Sequence, residues 1–351
     1  MDTPRRGLLK IISCRSAREY SQRIIDYINQ VNQEQGISHQ FELEVVGVEN
    51  FKDTSFKVKI EHNCRGNDVY VVQTGTCDRT IGLSINDTLM ELVLAVDAVC
   101  RKGDAAYVTA VVPNFYFARQ DRPKGRESYN AKVVVEMLEA AGIDKLICLD
   151  LHSSPIEGFF KRGTENLFTS NLLIDFLKDK YGLQLQQWVY ASGDAGGFKR
   201  ALHYANVIRG TPAVSIKMPR TEPNQVSDML TLGDVQEKTV CIIDDIIDTG
   251  GTLMMAAEKF MELGAKNIVL VCTHPLLNDP AQERLSMLYE KRVLTELITT
   301  DTNLLHFKGG ELPWLTVVPT APLVGEAIYR INHDRSVSSL YHVDPFEIVC
   351  S

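Results

Sequence analysis

Short β-rich runs alternate with amphipathic helical runs along the whole chain, and this alternation restricts the fold more than any other feature. Strand-like runs are Leu8–Ile12, Val69–Gln73, Tyr107–Val112 and Lys145–Leu151, then Trp188–Ala191, Ala213–Ile216, Thr239–Ile243, Asn267–Cys272 and Leu315–Val318. Ser16–Val31 has a helical pattern. Asn86 is the expected N-cap of a helix with Leu89, Leu92, Val93, Val96 and Cys100 on one face. Asn130 is the expected cap of another, with Val133, Val134, Met137, Leu138 and Ala141 inward and Gly142 at its end. Short apolar runs of this kind read as strands buried on both faces, and such strands belong to parallel sheets covered by helices. A chain of 351 residues has room for two such domains. The expected division is 8–165 and 166–331, with 332–351 as a tail packing back on the first domain.

Charge and cysteine usage narrow the partners. A net charge of −8 argues against a general nucleic-acid or membrane-surface binder, while leaving room for a local basic pocket. The apolar stretch after Arg5-Arg6 is broken by Lys10, so no signal-peptide core follows. No apolar run approaches the ~18 residues of a membrane span. The eight cysteines lack paired metal-ligand spacing, and Cys148, Cys241 and Cys272 lie inside strand-like runs as small core residues. A reduced, cytoplasmic protein without disulfides is expected.

The most informative local run is 242–252, Ile-Ile-Asp-Asp-Ile-Ile-Asp-Thr-Gly-Gly-Thr. Apolar Val240–Ile243 lead into Asp244 and Asp245. Asp248 then opens the loop Thr249-Gly250-Gly251-Thr252, and Leu253, Ala256, Ala257, Phe260 and Met261 continue as one helical face closed by Gly264. The first N–H groups of a helix have no intrahelical partner and carry the positive end of its dipole, which suits a phosphate. Two glycines let the backbone approach an anion closely. Carboxylates before the loop accept from the vicinal hydroxyls of a sugar. Phosphate cradle and diol acceptors together describe a ribose 5-phosphate site. A plain strand-to-helix turn also uses Asp and Gly, but three acids around Thr-Gly-Gly-Thr exceed what a turn needs. The run lacks the Gly-Lys-Ser/Thr ending of a Walker A loop and the spacing of a dinucleotide fingerprint.

The loop resembles the one shared by type I phosphoribosyltransferases and ribose-phosphate pyrophosphokinases. Further runs separate the two: Asn86–Leu92, Arg119-Gln120-Asp121 after Phe115-Tyr116-Phe117, Asp150-Leu151-His152 with Gly158-Phe159-Phe160, Ser192–Gly197, and the tail Ser336–Leu340. Together they resemble a ribose-phosphate pyrophosphokinase from about Leu9 to Tyr341. The resemblance implies two tandem phosphoribosyltransferase-like (type I) α/β domains. It implies transfer of the β,γ-diphosphoryl group of ATP to the C1 hydroxyl of D-ribose 5-phosphate. It assigns His152 and Asp194 to Mg²⁺, Phe51, Asp53, Arg119, Gln120 and His152 to ATP, and Asp244, Asp245, Asp248, Thr249, Gly250, Gly251 and Thr252 to ribose 5-phosphate. Lys217 and Arg220 match the catalytic loop. Arg65, Ser154, Ser336 and Ser338 match a regulatory anion site, and the family assembles as dimer-based hexamers. Two other readings stay open: a phosphoribosyltransferase, which shares the loop alone, and a non-catalytic regulatory homologue.

Some positions depart from the family pattern. Ser55 stands where a glutamate follows the Phe51-x-Asp53 segment, so a weaker grip on adenine is expected. Lys217-Met218-Pro219-Arg220 is one residue longer than the usual Lys-x-Arg, and Pro219 fixes φ there. Asn63 and Glu157 replace a Ser and a Gln, so weaker control by phosphate or ADP is expected.

Overall fold

The structure, a computed structural model, describes residues 6–123, 125–194, 196–217, 229–304 and 312–341. The chain forms two compact units. Of the described residues, the first contains those up to Leu167, together with Thr302–Leu304 and Pro319–Leu340; the second contains those of 168–301 and 312–318, and Tyr341.

In the first unit the elements run β1 (Leu9–Ser13), α1 (Arg18–Glu34), β2 (Glu44–Val45), β3 (Gly47–Asn50), β4 (Phe56–Lys59), β5 (Asp68–Val72), α2 (Ile85–Arg101), β6 (Tyr107–Val111), α3 (Asn130–Ala141), β7 (Lys145–Leu149) and β8 (Gly163–Leu167). Six strands form a parallel sheet in the order β2-β1-β5-β6-β7-β8, and β3 and β4 pair as a separate antiparallel hairpin. β5 shows why the sheet is parallel and covered twice. Val69 and Val71 pack into the cluster under α2 and α3, while Tyr70 and Val72 pack into the cluster beneath α1. All four are fully buried, and burial of a side chain of this size contributes roughly 1.5–3 kcal/mol.

The second unit runs α4 (Ser170–Tyr181), β9 (Val189–Ser192), α5 (Phe198–Ile208), β10 (Thr211–Lys217), β11 (Met229–Leu232), β12 (Thr239–Ile247), α6 (Gly251–Glu262), β13 (Asn267–Pro275), α7 (Ala281–Glu290), β14 (Leu294–Thr300) and β15 (Leu315–Val318). Its sheet order is β11-β10-β9-β12-β13-β14-β15, parallel except for the β10–β11 pair. Val240 and Ile242 face α6 and α7; Cys241 and Ile243 face α4 and α5.

The mainly parallel α/β architecture expected for both halves is present. Four details differ. The first unit ends at Leu167 rather than 165, because β8 is an edge strand of its sheet. The helix α8 (Ala321–Asn332), expected in the second domain, belongs to the first unit: Val324, Ala327, Ile328 and Ile331 pack with Ile24, Ile25 and Ile28 of α1. Ser84, not Asn86, caps α2: its Oγ accepts from Asp87 N while Ser84 N donates to Asp87 Oδ2, a capping box. Asn130 likewise sits inside α3 rather than capping it, and Val133 is exposed where Val135 is buried.

Candidate functional site

In the second unit the strand order reverses between β9 and β12: the chain steps outward to β10 and β11 on one side and to β13, β14 and β15 on the other. Open α/β sheets bind ligands outside the carboxyl ends of the strands at such a switch point. The acidic run lies there. Its carboxylates were expected just after the strand; instead β12 continues to Ile247, past its last pairing with β9 at Ile242. Asp244 and Asp245 thus lie on a stretch of β12 that still pairs with β13, Asp244 opposite Cys272, but has left β9 behind. Asp245 is buried and Asp244 half-buried.

Two further segments converge on this extension. Gly193 packs beside Thr252, Leu253 and Ala256 of α6, and Gly197 lies against the carbonyl of Ile243. The Gly-rich loop is folded around Asp194, whose Oδ1 accepts from Gly197 N at 2.8 Å while its carbonyl accepts from Ser192 Oγ at 2.6 Å. One turn into α5, Arg200 Nη1 stands 3.8 Å from Asp244 Oδ1 and 3.5 Å from Asp245 Oδ1. Burial, with the adjoining Asp245 carboxylate second, pushes the Asp244 carboxyl up to about 7, and Arg200 opposes the rise.

The loop 248–252 enters α6 as expected. Gly250 is its N-cap in the left-handed region (φ 72°), where a side chain would be strained. Asp248 Oδ1 accepts from Asn278 Nδ2 at 2.8 Å, and Leu276 N and Leu277 N donate to the carbonyl of Ile247. Arg284 Nη1 donates to the carbonyl of Thr249 at 2.7 Å. Lys217 is the last residue of β10; Arg220 lies outside the described residues.

The first unit carries the remaining candidates. His152 is exposed after β7, which ends at Leu149 because Asp150 turns to φ 39°. Arg119 and Gln120 are exposed after the neighbouring β6, at the same edge of the sheet; Gln120 Oε1 accepts from Asn130 Nδ2 at 2.7 Å. Phe51 and Asp53 sit at the tip of the β3–β4 hairpin. Phe51 is 44% exposed. Asp53 Oδ1 accepts from Ser55 Oγ at 2.7 Å and from Ser55 N at 3.1 Å, which lowers the carboxyl below its ordinary range. Arg65 Nε pairs with Asp104 at 3.1 Å. Ser154 begins a short 3-10 turn. Ser336 and Ser338 hydroxyls lie 3.1 Å apart, with Arg330 donating to the Ser336 carbonyl. A cavity of ≈ 320 Å³ near Glu139 and Lys161 contains none of the candidates, and its cations are paired: Lys161 with Glu139, Arg162 with Asp144.

Arg200, Asn278 and Arg284 were not among the expected residues. Arg200 had a usable signal, a cation six residues after Asp194 on the helix that the Gly-rich loop opens. Asn278 and Arg284 had none, since they reach the loop from 30 and 35 residues away. Among the described residues no cluster of three or more His, Cys, Asp or Glu side chains forms a ready metal cage, and no helix is long and apolar enough to cross a membrane.

Comparison with known proteins adds an independent line. The family described as the N-terminal domain of ribose phosphate pyrophosphokinase matches residues 9–142, and the phosphoribosyl synthetase-associated domain matches 196–342. The ribose-phosphate pyrophosphokinase of Gloeobacter violaceus is 38% identical over 293 residues, covering 83% of this chain and 84% of that protein. That of Hyphomonas neptunium is 35% identical over 334 residues, covering 95% and 99%. The crystal structure of phosphoribosylpyrophosphate synthetase from Mycobacterium smegmatis superposes with a TM-score of 0.79 at 28% identity, covering 93% of this chain and 100% of that one.

Proposed function

Since this chain belongs to the ribose-phosphate pyrophosphokinase family, we propose that it transfers the β,γ-diphosphoryl group of ATP to the C1 hydroxyl of D-ribose 5-phosphate. The C1 oxygen attacks the β-phosphorus, the bond from that phosphorus to the α-phosphate oxygen breaks, and AMP leaves. The products are AMP and phosphoribosyl pyrophosphate. The observation that carries this reading is the acid pair on the stretch of β12 beyond its pairing with β9, beside the Asp194 loop and the N-terminus of α6.

The 5-phosphate takes the N–H groups of 249–252 with Asp248 beside them, and Asp244 and Asp245 accept from the ribose hydroxyls. Arg119, Gln120, Phe51 and Asp53 take the nucleotide. Lys217 and Arg220 supply cations where charge develops on the transferring group. His152 and Asp194 would hold Mg²⁺. That sparse set fits an ion that keeps its waters and binds through one or two protein groups plus substrate phosphates. When bound, Mg²⁺ neutralises the triphosphate. Arg65, Ser154, Ser336 and Ser338 form a regulatory anion site. The protein works in the cytoplasm as a homo-oligomer of the hexameric type.

Release of AMP from ATP, with and without ribose 5-phosphate, tests the reading. AMP should appear only with the sugar phosphate, and chelation of Mg²⁺ should abolish it. Pyrophosphate release dependent on phosphoribosyl pyrophosphate and a free base would replace this assignment with a transferase. Running GTP and dATP in parallel reads how strictly the Phe51–Ser55 tip selects its base.

A further inference from the structure

The loop 248–252 makes a phosphate cradle only if its N–H groups face inward and its carbonyls face out. The Gly250 carbonyl is held by α6 itself, accepting from Met254 N at 2.9 Å, but that bond does not reach the Thr249 carbonyl one residue earlier. The neighbouring helix α7 does. Ala281, at the start of α7, is fully buried and lies against Gly250. One turn later Arg284 reaches back, and its Nη1 donates to the carbonyl of Thr249 at 2.7 Å. The same nitrogen is 3.3 Å from where a Cβ on Gly251 would stand. A guanidinium is planar and permanently charged, so it fixes a carbonyl from behind and adds positive potential to the loop.

We propose that Arg284 is a positioning residue for the sugar phosphate. It pins the Thr249 peptide so that the following N–H groups stay directed at the 5-phosphate, and its charge raises the affinity of the cradle for a dianion. A methyl group at 251 would stand 3.3 Å from the guanidinium nitrogen, which would have to give by a few tenths of an ångström. This rests on the assignment of loop 248–252 to ribose 5-phosphate made above, and it goes beyond that assignment by naming what holds the loop in its binding form.

Binding measured apart from turnover separates the two ideas. Calorimetric titration of the full chain with ribose 5-phosphate, in the presence of Mg²⁺ and α,β-methylene-ATP, gives the affinity directly. Arg284→Gln should weaken ribose 5-phosphate by about tenfold, as expected for loss of a charge-assisted hydrogen bond. It should leave α,β-methylene-ATP affinity and the thermal midpoint unchanged. Arg284→Lys, which keeps a cationic donor on a different geometry, should fall between Gln and wild type. Unchanged ribose 5-phosphate affinity in Arg284→Gln overturns the inference. So does an equal loss for both ligands, or a lysine variant as weak as glutamine. Absence of AMP release by a wild-type chain whose ribose 5-phosphate binding still depends on Arg284 would instead overturn the catalytic reading alone.

Discussion

The two units reverse their strand order at matching places, yet use them in opposite ways. In the first unit the reversal lies between β1 and β5; in the second it lies between β9 and β12. After β5 the chain turns inward. Gln73, Thr74 and Thr76 are buried, the Thr74 carbonyl accepts from Tyr116 Oη at 2.9 Å, and the Thr76 carbonyl accepts from Thr88 Oγ1 at 3.0 Å. Arg15, just beyond β1, donates from N and Nε to the buried Glu91 at 2.7 and 2.8 Å. Gly75 packs so tightly that a Cβ would stand 1.5 Å from the carbonyl oxygen of Asn114. At the ends of β9 and β12 more of the polar groups stay accessible: Asp194, Thr249 and Thr252 are exposed, although Asp245 is buried, and a Cβ on Gly250 would meet nothing closer than 3.9 Å. Topology supplies two switch points; the side chains at the strand ends fill the first and leave exposed polar groups at the second.

The contrast is broken or sharpened most strongly at Lys217. If chemistry belongs to the second unit's crevice, Lys217→Ala should lower kcat by about two to three orders of magnitude, the scale of losing one charge-stabilising donor. Affinity for ribose 5-phosphate should persist. Near-normal turnover would remove Lys217 from the reaction.

A pair of glycines tests the division next. Gly75→Ala should destabilise the fold by about 3 kcal/mol or more, because backbone rather than a flexible side chain must move. Ribose 5-phosphate affinity should not change in the fraction that folds. Gly250→Ala meets no clash and should cost about 1 kcal/mol of backbone strain, with its main effect on ribose 5-phosphate binding. Thermal melts with ligand titrations read both. Equal behaviour of the two variants would erase the distinction between a filled crevice and an open one. Asp248→Ala should weaken ribose 5-phosphate roughly ten- to a hundredfold with little change in the melt; an unaltered affinity would take the loop out of the acceptor site.

The alternation of strands and helices is legible from periodicity because both sheets are buried twice, so β5, β12 and β13 are nearly continuous apolar runs. The acidic loop is legible because strand, carboxylates, glycines and helix are contiguous. Short or edge strands are not: β2, β8 and the β3–β4 hairpin carry polar residues on a free side, and β3–β4 is held by local bonds at its tip. The transfer of α8 to the first unit leaves no mark in its sequence, since an apolar face fits any apolar groove. Arg284 is invisible for a related reason, as its role comes from where α7 docks. Ser55 shows the converse. Read by position it is a missing glutamate; in place it is a donor that holds the Asp53 carboxylate.

The smallest expected effect follows from the acid pair itself. Burial and Asp245 raise the folded Asp244 carboxyl to about 7, against about 3.9 in an unfolded chain. A raised folded value means that the folded state holds its proton more tightly than the unfolded state. Asp244 therefore favours folding fully below about pH 4, and that contribution drains away as pH rises through 7. In buffer without Mg²⁺ or substrates, the wild type should lose stability between about pH 4 and 7 relative to Asp244→Asn, which cannot ionise there. The two melting curves should converge at low pH and separate near neutrality. Parallel curves across this range would mean that Arg200 fully compensates the buried charge, and that the second crevice, like the first, has its ionic groups internally settled.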